Sequence, residues 1–578
     1  MQSLDPAVQK RIGHWLNGSY DDQTKSNIQA MLDNKEYEAL TDAFYRDLEF
    51  GTGGIRGIMG VGSNRVNKYT FGMAAQGFSN FLKNTYPDEL IKVAIAHDSR
   101  NNSETLARVV ADIFSANGIH VYLFDGLRPT PELSFAIREL GCQGGVMLTA
   151  SHNPKEYNGF KAYGADGGQL VPPHDRMVME EVQKIRDVEE IRFSGNPQLI
   201  ESVGEEIDRK YIETIAGFSV AGDAIKRQSD LKIVFSPIHG TAGVLMPDVF
   251  RRYGFENATF VEEQMSFDGN FPTVEYPNPE EKEALTLALD KAREIDAELV
   301  MATDPDADRV GIAVKDDKDE WILLNGNQIG SLIINYMLHA WQQAGKLGGD
   351  EYIVKTVVTT GLIDRIARHY EVECFSTLTG FKYIGELMTR LEGKKQFIAG
   401  GEESYGYLIG DHVRDKDAIV SSAIIAEMTA YYKDKGSSLF ETLISLYQEY
   451  GYFRERLVAL YKKGKKGSEE IQQIMKEFRA NPPSQLGRSE VVTVRDYKTS
   501  EERNLKTGKV SPIDLPTSNV LQFITEDESI VSVRPSGTEP KIKFYCSVNS
   551  RLENRSDFDR VTRQLEEKMD TIMDELAR

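Results

Sequence analysis

The sequence predicts three tandem mixed α/β domains followed by a C-terminal α+β domain. Two patterns carry this expectation. A strand–helix–strand–helix–strand order recurs three times along the 578 residues, each time ending in a polar loop. Beyond about residue 461 that alternation gives way to short strands and one long helix. At roughly 100–200 residues per domain, the length suits about three to five domains.

The residues up to about Leu48 place apolar side chains at helical spacing, as in YEALTDAFYRDL, before a glycine-rich break at FGTGGIRGIMG. The first unit then reads strand (KVAIAHDSR), helix (SETLARVVADIFSANG), strand (GIHVYLF), helix (PELSFAIREL) and strand (GGVMLTASHNP). The second begins at Leu231 with LKIVFSPIHG, continues through helices around AGVLMPDVFRRYG and PEEKEALTLALDKAREI, with strand ATFVEE between them, and closes on AELVMATDPDADR. The third begins at Tyr352 with YIVKTVVTTG, passes GLIDRIARHY, VECFSTLTG and FKYIGELMTRL, and ends on QFIAGGEESYG. Alternation of this kind implies parallel sheets with right-handed crossovers, whose ligands gather beyond the carboxyl ends of the strands. The segment 461–478 reads as a charged connector and helix with a solvated face. NVLQFITE, SIVSVRP and KIKFYCSV read as strands, with a terminal helix from about Asp557. The expected divisions are 1–210, 211–325, 326–460 and 461–578.

Composition narrows the function classes. Hydrophobic residues make up 40% and charged residues 27%, which permits a large core. A net charge of -21 repels nucleic acid and anionic membrane, so neither is an expected partner. An anionic substrate would require a local basic pocket. Cys142, Cys374 and Cys546 are far apart and form no CxxC pair, which suggests a reducing compartment and no structural zinc. The N-terminus lacks the apolar core of a signal peptide, and no stretch approaches ~20 apolar residues, so a cytoplasmic protein is expected.

Four loops carry the chemistry. TASHNP ends a buried strand with Ser151, a nucleophile if its proton is removed or if it already bears a phosphoryl group. His152 follows directly, and neighbours on an extended chain point opposite ways, which argues against a Ser–His dyad. DPDADR sets Asp304, Asp306 and Asp308 at i, i+2 and i+4, where they can converge on one hard cation. An EF-hand is excluded, because Arg309 and Lys315 stand where that loop needs Gly and Glu. Mg²⁺ fits three carboxylates with room for a phosphate oxygen. GEESYG offers Glu402 and Ser404 to sugar hydroxyls, and HVRDKD places Arg414 and Lys416 nearby as phosphate candidates. RPSGTEPK combines Arg534 and Lys541 with Ser536, Gly537 and Thr538, a set suited to a phosphate dianion.

These four loops in this order resemble the α-D-phosphohexomutase superfamily over nearly the whole chain, and the combination is far more specific than any one loop. The resemblance implies four domains around a central cleft. It implies that Ser151 carries the phosphoryl group and that Asp304, Asp306 and Asp308 hold Mg²⁺ with it. Arg309 would contact the transferring group, and Lys161 in NGFKAY matches a lysine proposed as general acid or base, with His152 and Lys416 the other candidates. Glu402, Ser404 and Thr379 would hold sugar hydroxyls. Arg534, Ser536, Gly537, Thr538 and Lys541 would grip the other phosphate, and Arg56 in GTGGIRG would lie near the substrate. The length, FGTGGIRG and GEESYGYLIGDHVRDKDA resemble the phosphoglucomutase and phosphopentomutase branch, which includes glucose-1,6-bisphosphate synthases. Tyr405 and Gly406 after Ser404 point away from mannose phosphate.

The expected activity is interconversion of glucose 1-phosphate and glucose 6-phosphate, with glucose 1,6-bisphosphate as intermediate and activator. The alternatives are a phosphopentomutase, a phosphomannomutase or a glucose-1,6-bisphosphate synthase of the same family, a Mg²⁺-dependent sugar phosphatase, and, outside the enzymes, a sugar-phosphate binding protein with a relic site, against which the intact loops argue. The expected partners are small sugar phosphates, and the expected assembly is a monomer or small homo-oligomer.

Overall fold

The computed structural model describes residues 4–49, 51, 54–462, 464–536 and 541–576. Each of the three α/β units contains the same four-strand core. In the first sheet, His120–Phe124, Lys92–His97 and Gly144–Leu148 run parallel, and Tyr157–Gly164 returns antiparallel beside the last. The second sheet repeats the order with Ala258–Phe260, Ile233–Ser236, Leu299–Thr303 and Val310–Lys315. The third repeats it with Glu373–Thr377, Glu351–Thr356, Gln396–Gly401 and Tyr407–Ile409.

The sheets are therefore mixed, not purely parallel as the strand–helix alternation implied. A short loop can reverse a chain only into an antiparallel neighbour, whereas a parallel return needs a long crossover. In each unit the short loop between the third strand and its antiparallel return is one of the polar segments 149–156, 304–309 and 402–406. All three begin at the carboxyl end of a parallel strand. Those strands are buried on both faces over nearly their whole length, as their continuous apolar runs require.

The first sheet also gains Gly54–Ile58 beside Tyr157–Gly164 and Ile200–Val203 at its other edge. The N-terminal helices Pro6–Asn17, Asp22–Asp33 and Tyr37–Phe44 pack on this unit: Trp15 stacks on Tyr20 at 4.2 Å and meets the Tyr69 ring edge-on at 5.7 Å. Tyr69 belongs to helix Lys68–Thr85.

The C-terminal unit is an antiparallel sheet covered by helices Gly464–Ala480 and Phe558–Leu576. Strand Tyr452–Tyr461, assigned from the sequence to the end of the third unit, pairs along its whole length with Lys541–Ser550. The passage into the last unit thus falls at Gly451, whose φ of 104° suits glycine. The largest buried apolar cluster runs from Ala94 in the first sheet to Ile572 in the final helix, so the units share packing.

Candidate functional site

Ser151 is buried and has a φ of 50°, a left-handed conformation uncommon for a side chain with a Cβ. Each of the three loops contains one such residue, the others being Ala307 at 53° and Tyr405 at 66°. Strain of this kind persists where its surroundings over-determine it. Around Ser151 they do. The Arg100 guanidinium donates to the carbonyls of Ser151 at 2.5 Å, Pro154 at 2.8 Å and Tyr157 at 3.0 Å, and also to that of Asn153. The Thr149 hydroxyl accepts the Ser151 N–H at 2.8 Å and donates to Asp98 at 2.6 Å.

The left-handed turn also corrects the expectation for His152. The chain is not extended there, and His152 Nδ1 comes within 3.3 Å of Ser151 Oγ. Burial, together with the charges of Arg309 and Arg56, holds the His152 imidazole well below its ordinary pKa.

Ser151 Oγ donates to Asp304 Oδ2 at 2.6 Å. Asp304, Asp306 and Asp308 are buried and present one oxygen each, all within 4.8 Å of one another. Burial and the charges of Asp306 and Asp308 push the Asp304 carboxyl well above the ordinary carboxylate range. That is the response of acids sharing a site that a cation would relieve. Asp306 Oδ1 and Asp308 Oδ1 are buried without a hydrogen-bond partner among the described residues. Clustered carboxylates with unmatched oxygens fit a hard divalent ion such as Mg²⁺.

Cations frame the cluster. Lys161 Nζ lies 2.7 Å from Asp306 Oδ2 and 3.2 Å from Asp308 Oδ2. Lys416 Nζ lies 3.1 Å from both Asp308 Oδ2 and Asp415 Oδ1. Burial opposes the charged form of both lysines, but the surrounding aspartates outweigh it and both pKa values rise. Lys416 is placed by Asp417, whose carboxylate accepts the N–H groups of Ile419 and Val420 and caps helix Ala418–Asp434. Arg309 donates to Glu280 Oε1 at 2.6 Å and to the Ser404 carbonyl at 3.2 Å, linking the DPDADR and GEESYG loops. Arg56, on strand Gly54–Ile58, donates to Asn153 Oδ1 at 3.0 Å.

Glu402 accepts the Gly380 N–H at 2.8 Å, bringing the loop that carries half-buried Thr379 against the GEESYG turn. Burial, with the neighbouring Glu402 charge, pushes the Glu403 carboxyl up to about 7. Arg534 and Lys543 sit directly opposite one another on paired strands, and the Ser536 N–H donates to the Lys541 carbonyl at 2.8 Å. Lys541 Nζ lies 5.4 Å from the centre of the Tyr461 ring. Gly537 and Thr538 lie outside the described residues. Arg534, Glu403 and Glu402 all act on Tyr545, whose hydroxyl burial raises to about 12. The basic strand pair therefore lies within electrostatic reach of the GEESYG loop.

Arg414 departs from its expected place among the phosphate ligands. Its buried guanidinium donates to the carbonyls of Asp411 and Val413 and pairs with Glu392, which leaves it a brace for its own loop. Four contributors escaped the sequence reading. Arg100, Glu280 and Thr130, whose hydroxyl donates to Asp306 Oδ2 at 2.9 Å, carry no signal, since their partners are remote in sequence. Lys543 could have been found: it lies two positions beyond Lys541 on one strand and so shares its face.

The chain matches the phosphoglucomutase/phosphomannomutase alpha/beta/alpha domain I over residues 47–189, domain II over 209–318 and domain III over 325–450. The chain belongs to the phosphoglucomutase/phosphomannomutase family. A phosphoglucomutase of Staphylococcus haemolyticus is 36% identical over 528 residues, covering 91% of this chain and 94% of that protein. One from Staphylococcus aureus is 35% identical over 554 residues, covering 95% and 97%. Among solved structures, the phosphoglucomutase parafusin of Paramecium, in its open form, superposes with a TM-score of 0.66 at 18% identity, covering 88% of this chain and 91% of that one. A phosphoglucomutase/phosphomannomutase family protein of Burkholderia thailandensis gives 0.65 at 20% identity, covering 91% and 97%. Membership in this phosphoglucomutase/phosphomannomutase family makes the chain a phosphomutase, an intramolecular phosphotransferase. Among the described residues no helix is long and apolar enough to cross a membrane.

Proposed function

We propose that this chain interconverts α-D-glucose 1-phosphate and glucose 6-phosphate through a phosphoserine at Ser151 and a glucose 1,6-bisphosphate intermediate. The observation that carries the reading is the 2.6 Å contact between Ser151 Oγ and Asp304. It joins the hydroxyl of the first unit to the carboxylate cluster of the second.

Asp304, Asp306 and Asp308 would hold Mg²⁺, which supplies Lewis-acid stabilisation of the charge that develops on the serine oxygen. The substrate's own phosphate would rest on Arg534, Ser536, Gly537, Thr538, Lys541 and Lys543. Glu402, Ser404 and Thr379 would accept and orient sugar hydroxyls, with Arg56 at the substrate's edge. The free 6-hydroxyl oxygen then bonds to the phosphoserine phosphorus in line as the bond from phosphorus to Ser151 Oγ breaks.

Lys161, Lys416 and Arg309 are fixed cations around the transferring group. Their carboxylate partners pre-position them, so little reorganisation is needed as charge moves. His152 Nδ1, 3.3 Å from the serine oxygen, is with Lys161 and Lys416 a candidate to hold the proton exchanged there. After the bisphosphate turns over, Ser151 takes the phosphoryl group from the 1-position and glucose 6-phosphate leaves.

Incubating the protein with glucose 1-phosphate, Mg²⁺ and a trace of glucose 1,6-bisphosphate tests this reading. Glucose 6-phosphate is expected, and Ser151→Ala is expected to lose turnover by at least about a thousandfold while remaining folded. Release of inorganic phosphate in place of glucose 6-phosphate identifies a phosphatase. Retained turnover in Ser151→Ala removes that serine from the carrier role.

A further inference from the structure

In the carboxylate cluster, two of the three aspartates have one oxygen tied down and the other left open. Asp306 Oδ2 accepts from Lys161 Nζ at 2.7 Å and from the Thr130 hydroxyl at 2.9 Å, while its Oδ1 is buried and unpartnered. Asp308 Oδ2 takes Lys161 and Lys416, and its Oδ1 has no hydrogen-bond partner among the described residues, with Arg309 Nε 3.8 Å away. Asp304 differs: its Oδ1 accepts the N–H groups of Asp308 and Arg309, and its Oδ2 faces Ser151. In Asp306 the assignment of one oxygen to the protein and one to the open side is made by Lys161 and Thr130 together, and of the two donors Thr130 is the one on a short side chain held by its own backbone.

Thr130 is fully buried at the start of helix Thr130–Glu139 in the first unit, between Pro129 and Pro131. Besides the hydroxyl bond, its backbone N–H donates to the Asp306 carbonyl at 2.9 Å. Proline on either side fixes the local backbone, so the two bonds present a rigid pair of donors to one residue of the second unit. The terminal torsion of the Asp306 carboxylate is soft in itself, and without Thr130 only the long Lys161 side chain would hold it.

We propose that Thr130 is a positioning residue for the divalent cation: its hydroxyl pins Asp306 Oδ2 so that Asp306 Oδ1 is the oxygen offered to the metal. The inference rests on reading the three aspartates as a cation site. Hydrogen-bond partners of metal-ligating carboxylates set ligand orientation, and their loss typically weakens metal binding by about 10- to 100-fold. The same contact makes the cation site dependent on docking of the first unit against the second, since the second unit's loop supplies the ligands and Thr130 of the first unit orients one of them, Asp306.

The test uses full-length wild-type, Thr130→Val, Thr130→Ala and Thr130→Ser proteins, titrated with Mn²⁺ and followed by electron paramagnetic resonance. Valine keeps the shape and the backbone bond while removing the hydroxyl. The Mn²⁺ Kd is expected to rise about 10- to 100-fold in Thr130→Val, with serine restoring it to within about threefold. At saturating Mg²⁺, the KM for glucose 1-phosphate is expected to stay within about twofold in Thr130→Val, because the hydroxyl acts on the metal ligand and not on the sugar. Wild-type affinity in Thr130→Val overturns the proposal, as does equal weakening in Thr130→Ser, which would assign the loss to packing. Failure of both hydroxyl-less variants to fold, with the serine variant folded, assigns the hydroxyl to stability and overturns it too. A wild-type protein that binds no Mn²⁺ overturns the cation reading itself, an outcome distinct from a wild type that binds and a valine variant that binds equally.

Discussion

Gly326 opens helix Gly326–Gln343, and a Cβ built there would lie 1.9 Å from the Glu403 carbonyl oxygen and 2.9 Å from the Tyr405 nitrogen. Both are backbone atoms of the GEESYG loop, which cannot rotate away as a side chain could. Gly326→Ala must therefore displace that loop, which Arg309 and Gly380 otherwise hold. The expected outcome is a rise of about tenfold or more in KM for glucose 1-phosphate, since misplacement by about 1 Å costs on that order or more. Unchanged kinetics would show that the loop can move without consequence. Gly240 plays the corresponding part behind the DPDADR loop: a Cβ there would meet the Pro305 Cα at 2.5 Å and its carbonyl oxygen at 2.7 Å. Gly240→Ala is expected to lower stability by about 1–3 kcal/mol, as overpacking does. It should also weaken Mn²⁺ binding, measured by urea unfolding and metal titration. A variant with wild-type stability and affinity would free Gly240 from that role.

At the scale of elements, the loops were legible because each is a dense run of polar residues ending an apolar strand. VGIAV after the second loop reads as a strand, but the other two antiparallel returns were not legible: Tyr157–Gly164 is buried along nearly its whole length and shows no alternation, and Tyr407–Ile409 is too short for periodicity to separate a hairpin from a crossover. Strand Tyr452–Tyr461 was misassigned for a related reason: its pairing partner, Lys541–Ser550, lies 80 or more residues along the chain, and no local pattern reports such a register. That strand carries Glu455 to the boundary with the third unit, where Ser547, Thr360 and Lys355 surround it. Burial raises its carboxyl from 4.5 to about 7. A raised carboxyl means the folded state binds more protons than the unfolded chain between about pH 4.5 and 7. Folding stability from this group is therefore highest below 4.5 and falls as pH rises through that window, then levels off above 7. Glu455→Gln lacks the effect. Its stability relative to the wild type is expected to climb by about 1–3 kcal/mol between pH 5 and 8, an order-of-magnitude figure from the shift. Urea unfolding at pH 5, 6, 7 and 8 checks it, and a flat difference across that range would show that Glu455 ionises freely.

Across the whole molecule, the proposed cycle demands two opposed things of the last unit. It must close over the substrate to keep water from the phosphoserine, and it must loosen enough for a bisphosphate to turn around. The contacts between the third unit and the C-terminal sheet suit such a compromise. Arg365, on helix Leu362–His369, donates to the Tyr450 carbonyl at 2.9 Å, to Glu528 at 2.6 Å and to Asn549 at 3.4 Å. Its guanidinium also lies 4.7 Å from the centre of the Phe453 ring. One side chain thereby spans the Gly451 turn. Glu528 is 71% exposed, so that ion pair contributes only about 0–1 kcal/mol and can break and re-form at little cost. With Arg365→Ala the last unit loses its tether on the third, and the closed state should be less populated while the bisphosphate is bound. Escape of glucose 1,6-bisphosphate then becomes more frequent, leaving dephosphorylated enzyme that must be recharged from solution. The expected outcome is a several-fold rise in the concentration of added bisphosphate needed for half-maximal turnover, with kcat at saturating activator within about threefold of wild type. The contrary result is equally clear. If Arg365→Ala needs no more activator than wild type, the contact is packing alone and retention of the intermediate depends on the ligand contacts of the cleft.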